Sequence, residues 1–142
     1  MRWLAATLIV AAGCSSSSSG ATVVEVKESF ARPVIQAGGV GAVYLELVNG
    51  TGADDRLVSA SSPIAGDVET HETVHEGDVS RMVARPEGFV VPAGGKVRLE
   101  PGGKHLMLFD VSRPVKAGEA IPLQLKFERA GVVDVQVPVR EQ

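Results

Sequence analysis

Thiol sulfur is almost absent from this chain. Its 142 residues hold one cysteine, Cys14, so the chain beyond it has neither a disulfide nor a thiolate metal site. Aromatic residues make up 4%, and no basic cluster is interleaved with them, which argues against a nucleic-acid surface. No apolar run reaches the roughly 20 residues that a membrane-spanning helix needs. No segment carries a helical hydrophobic stripe of useful length. A G-x-S-x-G nucleophile elbow is missing as well, and no pair of carboxylates suggests acid–base work. The net charge of −3 is small, with both signs mixed along the chain.

What is present begins with MRWLAATLIVAAGC, one arginine followed by a short run of small and apolar residues. This is the pattern of a secretory signal. Its AAGC ending, followed by SSSSSG, resembles a bacterial lipoprotein signal, with Ala11 where leucine is usual. The expected organisation is a signal peptide over residues 1–13, a lipidated Cys14 with a serine-rich tether over 14–20, and one domain over 21–142. Loss of Arg2 with the signal takes the formal charge from −3 to −4. The remaining 120 or so residues suffice for one hydrophobic core. An extracytoplasmic, lipid-anchored location follows from this reading.

Along that domain, short strand-like runs alternate with turns. Candidates are 22–30, 40–50, 55–63, 66–77, the two Gly-closed runs FVVPAGG and KVRLEPGG, 105–111, 121–131 and 132–139, with Ala130 and Gly131 linking a final hairpin. Seven to nine such strands, with no room for crossover helices, predict an all-β antiparallel sandwich or barrel.

The domain holds three histidines, His71, His75 and His105, and two methionines, Met82 and Met107. Taken singly, a methionine is most often core filling and a histidine a surface or hydrogen-bonded residue. In KHLMLFD, however, alternation puts His105, Met107 and Phe109 on one face, directly after a Pro-Gly-Gly turn. A histidine on a plain core face would need partners for both ring nitrogens. HETVH, residues 71–75, matches the HExxH metalloprotease pattern by letter. The β-branched Thr73 and Val74 and the nearby Gly77 favour a strand, in which His71 and His75 stand roughly 13 Å apart and cannot share a zinc ion.

With these residues in view, the domain resembles the PCuAC family of copper(I) chaperones. The resemblance is carried by GAVYLELVN (41–49), DRLVSASSPIAGDVETHET (55–73), VPAGGKVRLEPGGKHLMLFDV (91–111) and PLQLKFERAG (122–131). It implies a cupredoxin-like β-sandwich with Greek-key connections and a Cu(I) site made of His71, Met82, His105 and Met107. Glu72 stands where the family often has a second methionine. The 22 residues between Met82 and His105 exceed the common family spacing by one, and the extra residue is expected in SRMVARPEG, read as a loop. His75 falls on no family ligand position. The implied recipient is cytochrome c oxidase, at its CuA site, with a thiol-bearing copper protein as a possible helper. The expected form is a monomer without enzymatic activity.

The donor set suits that cargo. Cu(I) is soft and accepts thioether and imidazole, whereas Mg²⁺ and Ca²⁺ seek oxygen and zinc gains little from thioethers. The lack of a domain cysteine excludes a His-His-Cys blue-copper centre. Glu69, Glu72 or Glu76 is expected to offset the charge of a cation held by neutral ligands. Two other readings compete: a metal-free extracellular β-sandwich with an interaction role, and an enzyme using His71 and Glu72.

Overall fold

The computed structural model describes residues 24–141. The signal, the tether and Cys14 lie outside them. Ten strands follow one another: β1 (Val24–Ala31), β2 (Gly39–Asn49), β3 (Asp55–Ser61), β4 (Ala65–Glu76), β5 (Val79–Ala84), β6 (Phe89–Val91), β7 (Lys96–Leu99), β8 (Lys104–Val111), β9 (Ala120–Phe127) and β10 (Gly131–Pro138). No helix occurs among the described residues. A six-stranded sheet in the order β1-β2-β7-β8-β4-β5 faces a four-stranded sheet in the order β10-β9-β3-β6. The fold is a cupredoxin-like sandwich, as expected.

Period-two alternation builds the core between the sheets. Val43, Leu45 and Leu47 of β2, Leu106 and Leu108 of β8, and Ile121, Leu123, Leu125 and Phe127 of β9 are all buried. Each such side chain contributes about 1.5–3 kcal/mol by leaving water. Their strand neighbours Tyr44, His105, Met107 and Phe109 therefore occupy the opposite face of the six-stranded sheet.

One feature of the pairing positions the site. The edge of β2 is shared by two strands in succession: Leu45 to Val48 pair with β7, and Gly39 to Val43 pair with β8. Between Leu99, opposite Leu45, and Leu106, opposite Val43, the chain makes an excursion of six residues, 100–105, against Tyr44 alone. Its tip is a turn closed by Gly103 N–H donating to Glu100 O at 3.0 Å. Pro101 and Gly102, the latter at φ +83°, occupy the two central positions as a type II turn requires. The excursion also creates the single parallel register in the sheet, Leu99 against Lys104, so the sheet is mixed rather than purely antiparallel.

The expectation of a loop over SRMVARPEG is corrected. β5 pairs with β4 from Glu76↔Val79 to His71↔Ala84 across a tight Gly77-Asp78 turn, and only residues 85–88 form the loop. The strand was hard to see in the sequence because it lies at the sheet edge and is largely exposed on both faces, so it shows no alternation of apolar and polar residues.

Candidate metal centre

β4 and β8 pair antiparallel with His71 directly opposite His105. Both point away from the core, because Thr70 and Leu106, also opposite each other, face inward and are buried. The two imidazole rings lie 5.8 Å apart between centroids. Glu69 stands opposite Met107, and Met82 on β5 opposite Thr73. Met82, His105 and Met107 line one open cavity of about 250 Å³, together with Arg32, Pro33, Val40, Gly41, Ala42 and Tyr44. His71 adjoins that cavity through its contact with His105. Three of the four expected residues thus share a cavity, and the ring of the fourth lies beside one of them, tilted by 56°.

The hydrogen bonds decide which ring nitrogens are free. His105 Nδ1 lies 3.1 Å from Gly103 O. A carbonyl oxygen only accepts, so Nδ1 carries the proton and Nε2 of the neutral ring keeps its lone pair. His71 Nε2 lies 2.7 Å from Glu69 Oε2, which likewise puts the proton on Nε2 and leaves Nδ1 bare. These two bare atoms, His71 Nδ1 and His105 Nε2, are the buried side-chain nitrogens without a hydrogen-bond partner among the described residues. Leaving such a group unpaired costs about 1–3 kcal/mol each. Two of them on adjacent rings leave two lone pairs available as donors.

Burial lowers the His105 pKa below its ordinary 6.5, helped by the positive charge that His71 can carry and opposed by the hydrogen bond to Gly103. The folded protein therefore binds this proton less readily than the unfolded chain. The stabilisation from neutral His105 is full above pH 6.5 and is lost as pH falls below that value toward the folded pKa. The denaturant midpoint of the apo protein is expected to be lower at about pH 5.5 than at about pH 7.5, and His105→Gln should remove part of the difference. An unchanged slope in the variant would assign the pH dependence to other groups.

The remaining candidates sort clearly. His75 donates through Nε2 to Gly102 O at 2.9 Å and pairs through Nδ1 with Ser80 Oγ at 2.8 Å. With Thr73 N–H donating to Gly103 O at 2.9 Å, it pins the Pro-Gly-Gly turn to β4 and so holds the carbonyl that orients His105. His71 and His75 lie on one strand and make separate contacts, so the HExxH letters do not form a zinc pair. Glu72 alternates to the other face, where it meets Arg85 at 3.3 Å and Lys104 at 4.0 Å, and Glu76 pairs with Arg81. Of the three carboxylates considered, only Glu69 reaches the imidazoles. Among the described residues no group of three or more His, Cys, Asp or Glu converges. A larger cavity, about 570 Å³, lies elsewhere and holds no sulfur or imidazole. Its Arg98 already engages Glu28 at 2.8 Å.

Tyr44 was not anticipated as part of the site. Its buried ring sits 6.3 Å from His105 and 5.1 Å from Phe30, with the Arg32 guanidinium 5.5 Å from its centre. Alternation in GAVYLELVN already puts Tyr44 on the face opposite Val43, Leu45 and Leu47, which was the available signal.

Comparison with known proteins bears on lineage. Residues 24–139 match the LpqE-like lipoprotein family. The chain belongs to that family. The chain is 31% identical over 144 residues to "Putative lipoprotein Lxx21020" of Leifsonia xyli subsp. xyli, covering 97% of this chain and 87% of the relative. It is also 30% identical over 108 residues to the uncharacterized protein RP573 of Rickettsia prowazekii, covering 74% and 60% respectively. In three dimensions this LpqE-like protein is similar to the copper-bound PCuAC domain from PmoF2, with TM-score 0.69 and 24% identity over 84% of this chain and 93% of that one. It is similar as well to the Cu(I) form of DR1885 from Deinococcus radiodurans, with TM-score 0.63 and 27% identity over 89% and 86%. The fold is thus PCuAC-related. Membership of a lipoprotein family accords with an extracytoplasmic, membrane-anchored location.

Proposed function

We propose that this LpqE-like protein is an extracytoplasmic Cu(I) carrier that holds one ion through His71, Met82, His105 and Met107. The observation that supports it best is the pair of buried, unpartnered nitrogens, His71 Nδ1 and His105 Nε2, beside a cavity that two thioethers line. A metal-free interaction module would have no use for two costly orphan nitrogens on facing rings. The donors differ in freedom. His105 is 3% exposed and held by a pinned turn, whereas Met82 is 59% exposed on an edge strand. Such a site has rigid donors at its floor and a flexible thioether at its mouth. An incoming donor can displace Met82 first, so transfer proceeds by ligand exchange without making or breaking bonds in an organic substrate. The recipient in this reading is a membrane cuproprotein, namely the CuA site of cytochrome c oxidase, with a thiol-bearing copper protein as an assisting donor or acceptor. Residues 1–13 act as the signal, and a lipid on Cys14 with the 14–20 tether keeps the domain over residues 21–142 near that membrane.

Anaerobic loading with Cu(I), followed by metal analysis and X-ray absorption, tests the reading. One copper per chain with mixed nitrogen and sulfur neighbours is the expected result. Met107→Ala should remove one sulfur scatterer and weaken retention against a competing chelator. Failure of the wild-type domain to hold Cu(I) against a weak competitor would end the carrier reading, and an unchanged sulfur count in the variant would remove Met107 from the site.

A further inference from the structure

We propose that Glu69 is a positioning residue that selects Nδ1 of His71 as the metal-facing nitrogen and places a negative charge one hydrogen bond behind that ring. The affinity part of this inference rests on the carrier reading above, whereas the part about His71 stands on the apo protein alone.

The argument starts from register. Glu69 and His71 are two residues apart on β4, so both project from the same face, and Glu69 lies opposite Met107 on β8. The carboxylate Oε2 sits 2.7 Å from His71 Nε2. A free histidine divides its proton between the two nitrogens, and a buried imidazole with the wrong one protonated would offer an N–H to the cation instead of a lone pair. The ionised carboxylate only accepts, so it holds the proton on Nε2 and turns the bare Nδ1 inward, where it has no partner. His105 receives the same service from a backbone carbonyl, Gly103 O, and with the opposite nitrogen. The two rings therefore present unlike atoms, Nδ1 from one and Nε2 from the other. A carboxylate behind one imidazole also increases the basicity of the donor nitrogen.

The charge has its own consequence. Two imidazoles and two thioethers are all neutral, so a monovalent cation among them keeps its full charge. Glu69 is the carboxylate in contact with a ring of the set, and Glu72 and Glu76 are engaged by cations elsewhere. Its position favours a bound cation without taking a coordination place, which leaves exchange at Met82 unobstructed.

Two substitutions separate hydrogen bonding from charge. Glu69→Gln keeps an oxygen that can accept from Nε2 but is neutral, and Glu69→Ala removes both. The Glu69 side chain is 44% exposed, so both variants are expected to fold. In the apo domain, nitrogen-15 shifts of the His71 ring should report the Nε2–H form in the wild type and in Glu69→Gln. Glu69→Ala should shift the population toward Nδ1–H. Cu(I) affinity, measured by competition with a chromogenic chelator, should drop roughly 10–100-fold in Glu69→Ala, with a smaller loss in Glu69→Gln. A wild-type ring found in the Nδ1–H form, or an alanine variant with the wild-type tautomer ratio, would overturn the proposal. So would alanine-variant affinity within twofold of wild type. A wild type that binds no Cu(I) would sink the carrier reading, and the apo nitrogen-15 result would still decide the role of Glu69.

Discussion

His105→Ala is expected to reduce Cu(I) affinity by roughly a hundredfold or more, the largest loss of any single substitution at the site. The scale follows from comparison: removing a residue that merely supports a metal ligand typically costs 10–100-fold, and a donor that faces the ion should cost at least as much. His105 is also the hub of the arrangement. It contacts the His71 ring, touches the Tyr44 ring, and lines the cavity shared with Met82 and Met107. No neighbouring histidine can replace it, because His75 is bound to Gly102 and Ser80. The apo fold should change far less. The variant gives up one hydrogen bond to Gly103, worth about 1 kcal/mol, and also removes the unpaired Nε2, whose burial costs about 1–3 kcal/mol. These terms, with some lost packing, largely offset one another. A thermal melt with and without Cu(I) reads both quantities: a metal-dependent upshift in the wild type should vanish in the variant while the apo midpoint stays close. Affinity within threefold of wild type would remove His105 from the site.

Gly88→Ala should be the most destabilising of the small substitutions, costing about 3–5 kcal/mol. Gly88 closes the turn after β5, its N–H donating to Arg85 O at 2.8 Å, with φ at +79°. A side chain there meets two penalties. The left-handed backbone costs about 1–3 kcal/mol for a non-glycine residue. The added Cβ would also fall inside the Leu57 carbonyl group of β3, far closer than van der Waals contact, and such backbone displacement costs a further 1–3 kcal/mol or so. The turn cannot retreat easily, since Arg85 N–H donates to Thr70 O at 2.7 Å and the Thr70 hydroxyl donates to Arg85 O. Gly102 provides the contrast. Its φ is +83°, yet nothing lies within 4 Å of an added Cβ, so Gly102→Ala should carry the conformational cost alone. Thermal midpoints check this: a drop of roughly 10 °C or more is expected for Gly88→Ala, and a clearly smaller one for Gly102→Ala. Equal shifts would show that the approach to Leu57 relaxes freely.

The strands that were legible share one property. β2, β8 and β9 each bury one face in the core, so their apolar residues recur every second position, and the same alternation assigned Leu106 and Leu108 inward and His105 and Met107 outward. β5 lacked that signature because an edge strand with two exposed faces has no buried side to mark. Met82 consequently looked like a loop residue, whereas cross-strand pairing with Thr73 gives it a defined place. The three acidic candidates were indistinguishable as letters. Glu72 is adjacent to His71 in sequence and faces away from it, while Glu69, two residues distant, touches it, as the strand period demands.

The sequence by itself determined the β class, the lack of any thiolate site, the strand nature of HETVH, and the soft donor types, because those depend on composition and on local alternation. Which atoms meet was decided only by the tertiary structure. The six-residue excursion against Tyr44 comes from β2 pairing with β7 and β8, and the register that sets His71 against His105 comes from β4 pairing with β8, strands distant from one another along the chain. The opposite tautomers, by contrast, are set by partners two residues away, Glu69 and Gly103. Whether a carboxylate or a carbonyl two residues away turns onto a ring depends on the pairing that fixes the strand and the turn, and it leaves no mark on the identity of the residue it orients.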